Sequence, residues 1–448
     1  MAISGVKHVV CALSGGVDSA VAALLLKWKG YQVSGLFMRN WDQLDETGVC
    51  TADKDCEDAR FVCDTLHIPF HEVNFVKDYW HDVFSNFLKQ YERGLTPNPD
   101  VMCNKYIKFD RLMEHAFNKL GADAVATGHY ARTSQGDSFL QTTDKDVKKE
   151  NSSMELKEAV RLLRAVDSWK DQTFFLSQVS QKALQRTIFP LGDLTKDVVK
   201  KIAVQAGMER IAKKKESMGI CFIGDRHFQK FIKEYIETKP GNFVGIEDYK
   251  VKGQHEGHFL YTIGQRAGIQ GYNPRKMFVT DKNPDTNEVF VAPGTNHPAL
   301  FHQTCMTDSV HWIHQPPLQL IEKEMLDCFF RFQHADPLVK CTLTLAGEGS
   351  VIVSLQKPLR ALTPGQYAVF YLGEECLGSA QIQQTGPSLY SLNWKQYHSG
   401  DWTWNPEDDT AVDENINLEV KGTKLDSWDS WRNFLQGGFK WKGPFNGG

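Results

Sequence analysis

Along the first two hundred residues, apolar runs of strand length alternate with stretches of helical spacing. Residues 7–13 (KHVVCAL) form a short apolar run with β-branched side chains, closed by SGG, and predict a strand. Asp18 to Lys29 (DSAVAALLLKWK) carries helical spacing and stops at Gly30, the residue type that most often ends a helix. Strands are expected at Val33 to Arg39 and Phe70 to Phe75, helices at about 53–67 and 78–92, another helix after Cys103, and a strand at 122–127 within ADAVATGHY. Such alternation predicts a doubly wound α/β domain with a parallel sheet covered on both faces. Asp137 to Glu158, polar and charged around KDVKKENSS, reads as a surface insertion. Helical patterns resume at about 177–187, 195–207 and 226–237. From 241 to 385 short strands alternate with turn residues, as in VAPGTNHP and LTPGQYAVFY, predicting two small β-rich domains that meet near 300. The expected division is 1–225, 226–300, 301–385 and a tail over 386–448. That tail holds six of the eleven tryptophans and the acidic run PEDD, shows no period, and is read as partly disordered.

Composition narrows the class without naming a function. The chain has 448 residues, 41% hydrophobic, and no apolar run long enough to span a membrane. Its formal charge is −4, so a polyanion has to be held by a local basic patch such as Lys213 to Lys215. Ten irregularly spaced cysteines without a secretory signal point to a reducing compartment. The N-terminus, MAISGVKHVVC, has one lysine and no arginine, a poor transit peptide by itself.

Candidate chemistry begins at SGGVDS, Ser14 to Ser19, between the first strand and the first helix. Two glycines let the backbone turn and aim its N–H groups at an anion, and the helix start adds partial positive charge. The loop lacks the GK[ST] ending of a Walker loop and matches the SGGxDS signature of the ATP pyrophosphatase, or PP-loop, superfamily. The plain alternative is a capped helix start. Ala12, Leu13, Ser14, Gly15, Gly16, Val17, Asp18 and Ser19 are the expected nucleotide contacts. Met38 ends the second strand, where its backbone can meet adenine, and Gly128 follows a strand at the edge where open α/β sheets bind ligands. Taken alone, the first reads as core and the second as a turn.

In TPNPDVMCNKYIKFD, Cys103 follows two prolines and stands near Lys105 and Lys108 in sequence. The prolines predict a stiff, exposed loop leading into a helix, and nearby cations favour a thiolate. In AKKKESMGICFIG, Cys221 follows three lysines and precedes an apolar segment. Each cysteine alone reads equally as a packed one. Cys56 and Cys63 share a face of a predicted helix, so packing is the expected role there, although Cys50 beside them also raises a metal reading.

Together these stretches, with GLFMRNW, ATGHYAR, KDQTFFLS, FPLG, YTIGQR and TPGQYAVFY, resemble the tRNA-specific 2-thiouridylases over nearly the whole chain to about 385, and CTADKDCEDA resembles mitochondrial members from animals most. The resemblance implies a PP-loop domain, a small central domain and a β-barrel-like C-terminal domain. It implies adenylation of the wobble uridine at C2 with ATP and Mg²⁺, then sulfur transfer from a persulfide on Cys221, with Cys103 closing a transient disulfide and Asp100 handling a proton. It also implies that Asn98, Pro99 and Asp100 line the flipped base. His129, Lys170, Asp171, Gln172, Arg331, Phe332 and Gln366 would touch the tRNA. A monomer, a protein sulfur donor and a mitochondrial location complete the expectation. For several of these residues a structural role reads equally well: KDQ as a helix-capping turn, Arg331–Phe332 as a strand pair, Asp100 as a turn cap. Two other activities remain open at this point, an iron–sulfur thiolase using Asp100, Cys103 and Cys221 and a PP-loop amide ligase, although the ligase needs no paired cysteines. A non-catalytic tRNA-binding protein predicts the loss of Asp18, Cys103 or Cys221, and all three are present.

Overall fold

The computed structural model describes residues 7–41, 51–140, 159–215, 222–223, 227–269 and 276–392. Cys50, Cys221, most of the predicted insertion and nearly all of the tail lie outside them. Among the described residues no helix is long and apolar enough to cross a membrane.

The first domain is a parallel sheet in which β1 (His8–Leu13) lies between β2 (Gln32–Arg39) and β4 (Ala124–Ala126), flanked by β3 (Phe70–Asn74) and β7 (Thr187–Ile188). The continuous apolar run of β1 follows from burial on both faces. Val10 and Ala12 enter one core, and Val9, Cys11 and Leu13 enter the other. Helix α1 (Val17–Trp28) and helix α2 (Thr51–Leu66) pack on the second face, where Cys56 and Cys63 are buried among them. On the first face lie α3 (76–92) and α4 (99–120), each containing a widened π turn, at Trp80–Phe84 and at Cys103–Arg111. The sequence runs outward from β1 to β2 and β3, then returns to β4 on the other side. The crevice beyond the C-terminal ends of β1 and β4 is therefore the switch point at which such sheets bind ligands.

The predicted helix over 177–187 is broken into two single turns, Thr173–Leu176 and Gln181–Leu184. Ser180 caps the second through Ala183 N–H, and β7 follows at once. Helix α5 (Lys196–Gln205) then returns to α1. The helix expected at 226–237 is shorter, Phe228–Ile232.

A four-stranded central sheet comprises β8 (Gly241–Gly245), β9 (Val251–His255), β10 (Met277–Asn283) and β11 (Glu288–Pro293). Beyond it, β12 (Phe301–Ser309), β14 (Met325–Arg331), β15 (Val339–Leu345), β16 (Ser350–Arg360), β17 (Tyr367–Leu372) and β18 (Glu375–Thr385) form an antiparallel barrel closed by β12 against β18. The short β13 (His311–Trp312) adds to β18.

Linear reading does not foresee how the domains join. Two short strands of the first domain, β5 (Arg132–Thr133) and β6 (Leu162–Leu163), pair with each other, and β6 pairs with β18, so the barrel sheet continues into the α/β domain. One apolar core contains Phe84, Cys103 and Ile107, Phe231 and Leu260, and Tyr367 and Tyr371, residues of all three domains. At the seam the Asp171 carboxylate is fully buried. It accepts Ala165 N–H (3.1 Å) and the Thr173 hydroxyl (3.0 Å), and faces both Arg331 (3.5 Å) and Arg164 (3.6 Å).

Two guanidiniums share that one carboxylate, so its loss leaves like charges buried together. Asp171→Ala is expected to cost about 3–5 kcal/mol, because it strands buried charge. Arg331→Met should cost less, about 1–3 kcal/mol, because Arg164 still balances Asp171. Urea denaturation of the full chain measures both; equal losses would show that the two arginines do not share the carboxylate.

Candidate functional site

The loop from Ser14 to Ser19 lies at the switch point, and its shape is fixed by close approach. Gly15 has φ +69°, and a Cβ there would meet the Asp55 carbonyl oxygen of α2 at 2.4 Å. Gly128, just after β4, faces the α1 backbone at Asp18–Ser19, where a Cβ would sit 2.6 Å from Ser19 N. Gly16 caps α1 without any side-chain hydrogen bond, so the first-turn N–H groups keep no side-chain acceptor. Ser19 Oγ instead braces the loop, donating to Gly16 O (3.1 Å) and accepting Ser14 N–H (3.1 Å). Uncapped amides at the start of a twelve-residue helix form a cradle suited to a pyrophosphate.

Side chains that local sequence reading passed over surround this cradle. The Asp18 carboxylate accepts Lys196 Nζ at 2.7 and 2.9 Å and Tyr130 OH at 2.9 Å. Lys196 is the first residue of α5, where the helix dipole disfavours a cation; that misplacement is the one signal the sequence offered. Lys214, expected to meet phosphate as part of the triple lysine, donates to Asp55 (2.7 Å), Asp58 (2.6 Å) and Gly15 O (3.2 Å), while Lys213 and Lys215 project outward. Arg210 also bonds Asp58, and these cations hold that carboxyl below its ordinary range against the opposing effect of burial.

The loop carrying Asn98 and Asp100 is not the exposed one that its prolines predict. Thr96, Pro97 and Pro99 are buried because the barrel turn Thr363–Gln366 covers them. Thr96 N–H donates to Pro364 O (2.9 Å), Gln366 Nε2 donates to Thr96 O (2.7 Å), and Gly365 at φ +96° leaves no room for a side chain beside Thr96. Asn98 Nδ2 reaches Gln366 Oε1 at 3.5 Å, and Asn98 Oδ1 caps α4 through Val101 N–H. The cap is therefore Asn98, not Asp100. Cys103, one turn into α4, is 4% exposed, and Lys105 turns away to Gln178 (2.9 Å).

Strand β4 links the two halves. Tyr130, whose hydroxyl meets Asp18, exchanges backbone and side-chain hydrogen bonds with Gln172. Its neighbour His129 bonds the Thr127 hydroxyl at 2.8 Å and lies against Phe109 of α4, 5.9 Å between rings. Burial raises the Asp100 carboxyl, and the Lys108 charge pulls it partly back. Burial also takes His129 well below its ordinary range, and Lys108 adds to the effect. One lysine thus acts on both groups.

The structure joins Ser14–Ser19, Gly128, Tyr130 and Gln172 at the switch point, sets Asn98 against Gln366 under the barrel turn, and places Asp100 and His129 in the field of one lysine, Lys108, while Cys103 is buried in the shared core. It places Asp171, Arg331 and Phe332 in the interior at 0%, 5% and 2% exposure; the first two meet across the seam, and Phe332 packs in the barrel core. Met38 is half-buried against the core beside Val73, and Lys170 is half-buried next to exposed Trp169. Cys221 lies outside the described residues, but Phe222 beside it is 1% exposed and packs on Trp41, Phe84 and Phe87. Cys305, Cys328 and Cys341 are core residues of the barrel. Among the described residues no cluster of three or more metal-ligating side chains occurs.

Comparison with known proteins agrees with this layout. Residues 7–225 match the family model described as tRNA methyl transferase HUP domain, 229–293 the corresponding PRC-barrel domain, and 302–382 the aminomethyltransferase beta-barrel domain. The human mitochondrial tRNA-specific 2-thiouridylase 1 is 56% identical over 91% of this chain and 97% of its own. The Drosophila melanogaster protein of the same name is 48% identical over 85% and 95%. The tRNA-specific 2-thiouridylase MnmA of the bacterium Alkaliphilus oremlandii is 43% identical over 84% and 97%. Relatives of animals and bacteria thus align with all three domains at once, and the chain belongs to the tRNA-specific 2-thiouridylase family.

Proposed function

We propose that this chain, a mitochondrial member of its family, converts the wobble uridine of tRNA to 2-thiouridine by adenylating the C2 oxygen and replacing it with persulfide sulfur. The observation that carries this reading is the uncapped start of α1 at the switch point of the sheet, with Asp18 bonded to Tyr130 and Lys196 beside it. ATP supplies the activation, since a uracil oxygen leaves poorly until it is an ester of AMP. The loop amides of Ser14–Ser19 hold its phosphates. Asp18 would hold a Mg²⁺, which would screen the charge of the phosphates, and Lys196 beside it would meet phosphate oxygen.

A base must leave its stack to expose C2, which costs less in an anticodon loop than in a duplex. Asn98 and Pro99, fixed under the barrel turn, form a rigid wall for it. Ionised Asp100 takes the N3 proton as the C2 oxygen attacks phosphorus and pyrophosphate departs. The terminal persulfide sulfur on Cys221 attacks C2 and AMP leaves with the oxygen. Cys103 thiolate then attacks Cys221 Sγ, freeing 2-thiouridine and leaving a Cys103–Cys221 disulfide that a thiol reductant reopens. His129, kept neutral by burial, offers a hydrogen bond without competing charge. The sulfur comes from a persulfide-bearing protein.

Three measurements test this reading. Cys103→Ser and Cys221→Ser should both lose thiolation while tRNA-dependent pyrophosphate release survives. Without added reductant, Cys103→Ser should in addition trap a disulfide-linked protein–tRNA adduct. Normal thiolation by either variant removes that cysteine from the mechanism. Gly15→Ala, forcing a Cβ against Asp55 O, should abolish pyrophosphate release while the barrel remains folded. Lys108→Met removes the charge that lowers Asp100, so the carboxyl rises further and the acid limb of the kcat/KM profile moves to higher pH. An unmoved limb assigns the proton to another group.

A further inference from the structure

A cavity of about 380 Å³ lies between α4 and the barrel, on a different stripe of the helix from Asp100 and Cys103. Met102, Lys105 and Tyr106 form its helix wall, the i, i+3, i+4 positions that share a face. Next to it the seam is apolar, with Val369 and Tyr371 of the barrel packed into the shared core, and its other polar cluster, around Asp171, is filled by its own partners. At the cavity it is polar and unfilled, within the size range of ligand pockets.

Two opposite charges face each other across it without meeting. Lys105 and Asp308 each feel the other's charge, yet no ion pair joins them among the described residues. Lys105 Nζ spends one donor on Gln178 Oε1, and an ammonium has three. The Asp308 carboxylate accepts Gln381 N–H at 2.6 Å and also its own backbone N–H, and it reaches the open side of the cavity. Partial enclosure pushes the lysine down, and the carboxyl of Asp308, at the open mouth of the cavity, is raised on its inward side. An occupant that accepts from Lys105 and donates to Asp308 relieves both at once.

The other walls narrow the chemistry. Gln381 Nε2 is committed to Gln90 Oε1 (2.6 Å) and Gly365 O (2.7 Å), which leaves its carbonyl oxygen as a further acceptor. The rings of Tyr106 and Tyr367 line the same space. Acceptor beside donor on the rim of a flat ring describes the edge of a nucleobase, which is what a polar cavity with Lys105 on one wall and Asp308 and Gln381 on the other can read. Asp308 and Ser309 are exposed, so the cavity opens to solvent. We propose that this cavity binds a second unpaired base of the same RNA loop, a neighbour of the base that is modified. The proposal rests on the tRNA reading above and adds a subsite that helps select the substrate.

The test uses the full chain with ATP, a persulfide donor and anticodon stem-loops, either natural or abasic at one nucleotide beside the target. Wild type should lose about tenfold in KM, with kcat retained, when the neighbouring base is absent. Asp308→Asn keeps the acceptor for Gln381 N–H but loses the charge. It should lose about as much on the natural stem-loop and almost nothing more on the abasic one. A merely structural role for Asp308 gives penalties that multiply, and that result overturns the proposal, as does wild type indifferent to abasic neighbours on either side. Thiolation of the natural stem-loop by wild type reports on the reading of function, and the abasic comparison reports on the cavity alone.

Discussion

The geometry of the active crevice depends on one buried carboxylate. Asp171 ties the segment after β6 to Arg331 of β14 and Arg164 of the first domain, and its own carbonyl accepts His334 Nε2 at 2.7 Å. Buried charge of this kind does not by itself add stability over an apolar packing; it specifies which surfaces meet. What it specifies here is the seat of the barrel. That seat places the turn Thr363–Gln366 over Thr96, and so fixes the start of α4. The residues expected to contact tRNA from the barrel divide accordingly. Gln366 meets Asn98, while Arg331 belongs to the seam that holds it there and Phe332 to the barrel core.

Much of this was legible in the sequence wherever the signal is local. The strand–loop–helix order around SGGVDS, the alternation that builds a parallel sheet, and the helix after Asn98 all follow from neighbours in the chain. Cys56 and Cys63 pack on one helix face as their spacing predicted. What failed was exposure. Prolines at 97 and 99 correctly forecast a stiff loop, but its burial is supplied by a turn more than 250 residues away, and no local pattern reports such a cover. The strand pairing of β6 with β18 was equally invisible, because two-residue strands carry no periodicity.

The lysines illustrate the same limit from the electrostatic side. Read from sequence, Lys105, Lys108 and the triple lysine before Cys221 form one class of cations available for a thiolate or phosphate. Folded, they separate by partner. Lys214 is committed to Asp55, Asp58 and the loop backbone, Lys105 to Gln178 and the second cavity, and Lys108 to the field around Asp100 and His129. Spacing gives the number of charges near a motif; only packing decides which group each one shifts.

The same partition ties the nucleotide loop to the shared core. Lys214 bonds the Gly15 carbonyl, and Phe222 packs among Trp41, Phe84 and Phe87. The described residues on either side of 216–221 are thus held by different parts of the first domain, Lys214 by the nucleotide loop and Phe222 by the core that also contains Cys103. A change in the loop that moves the Gly15 carbonyl therefore acts on Lys214 as well, and through it on Asp55 and Asp58 of α2.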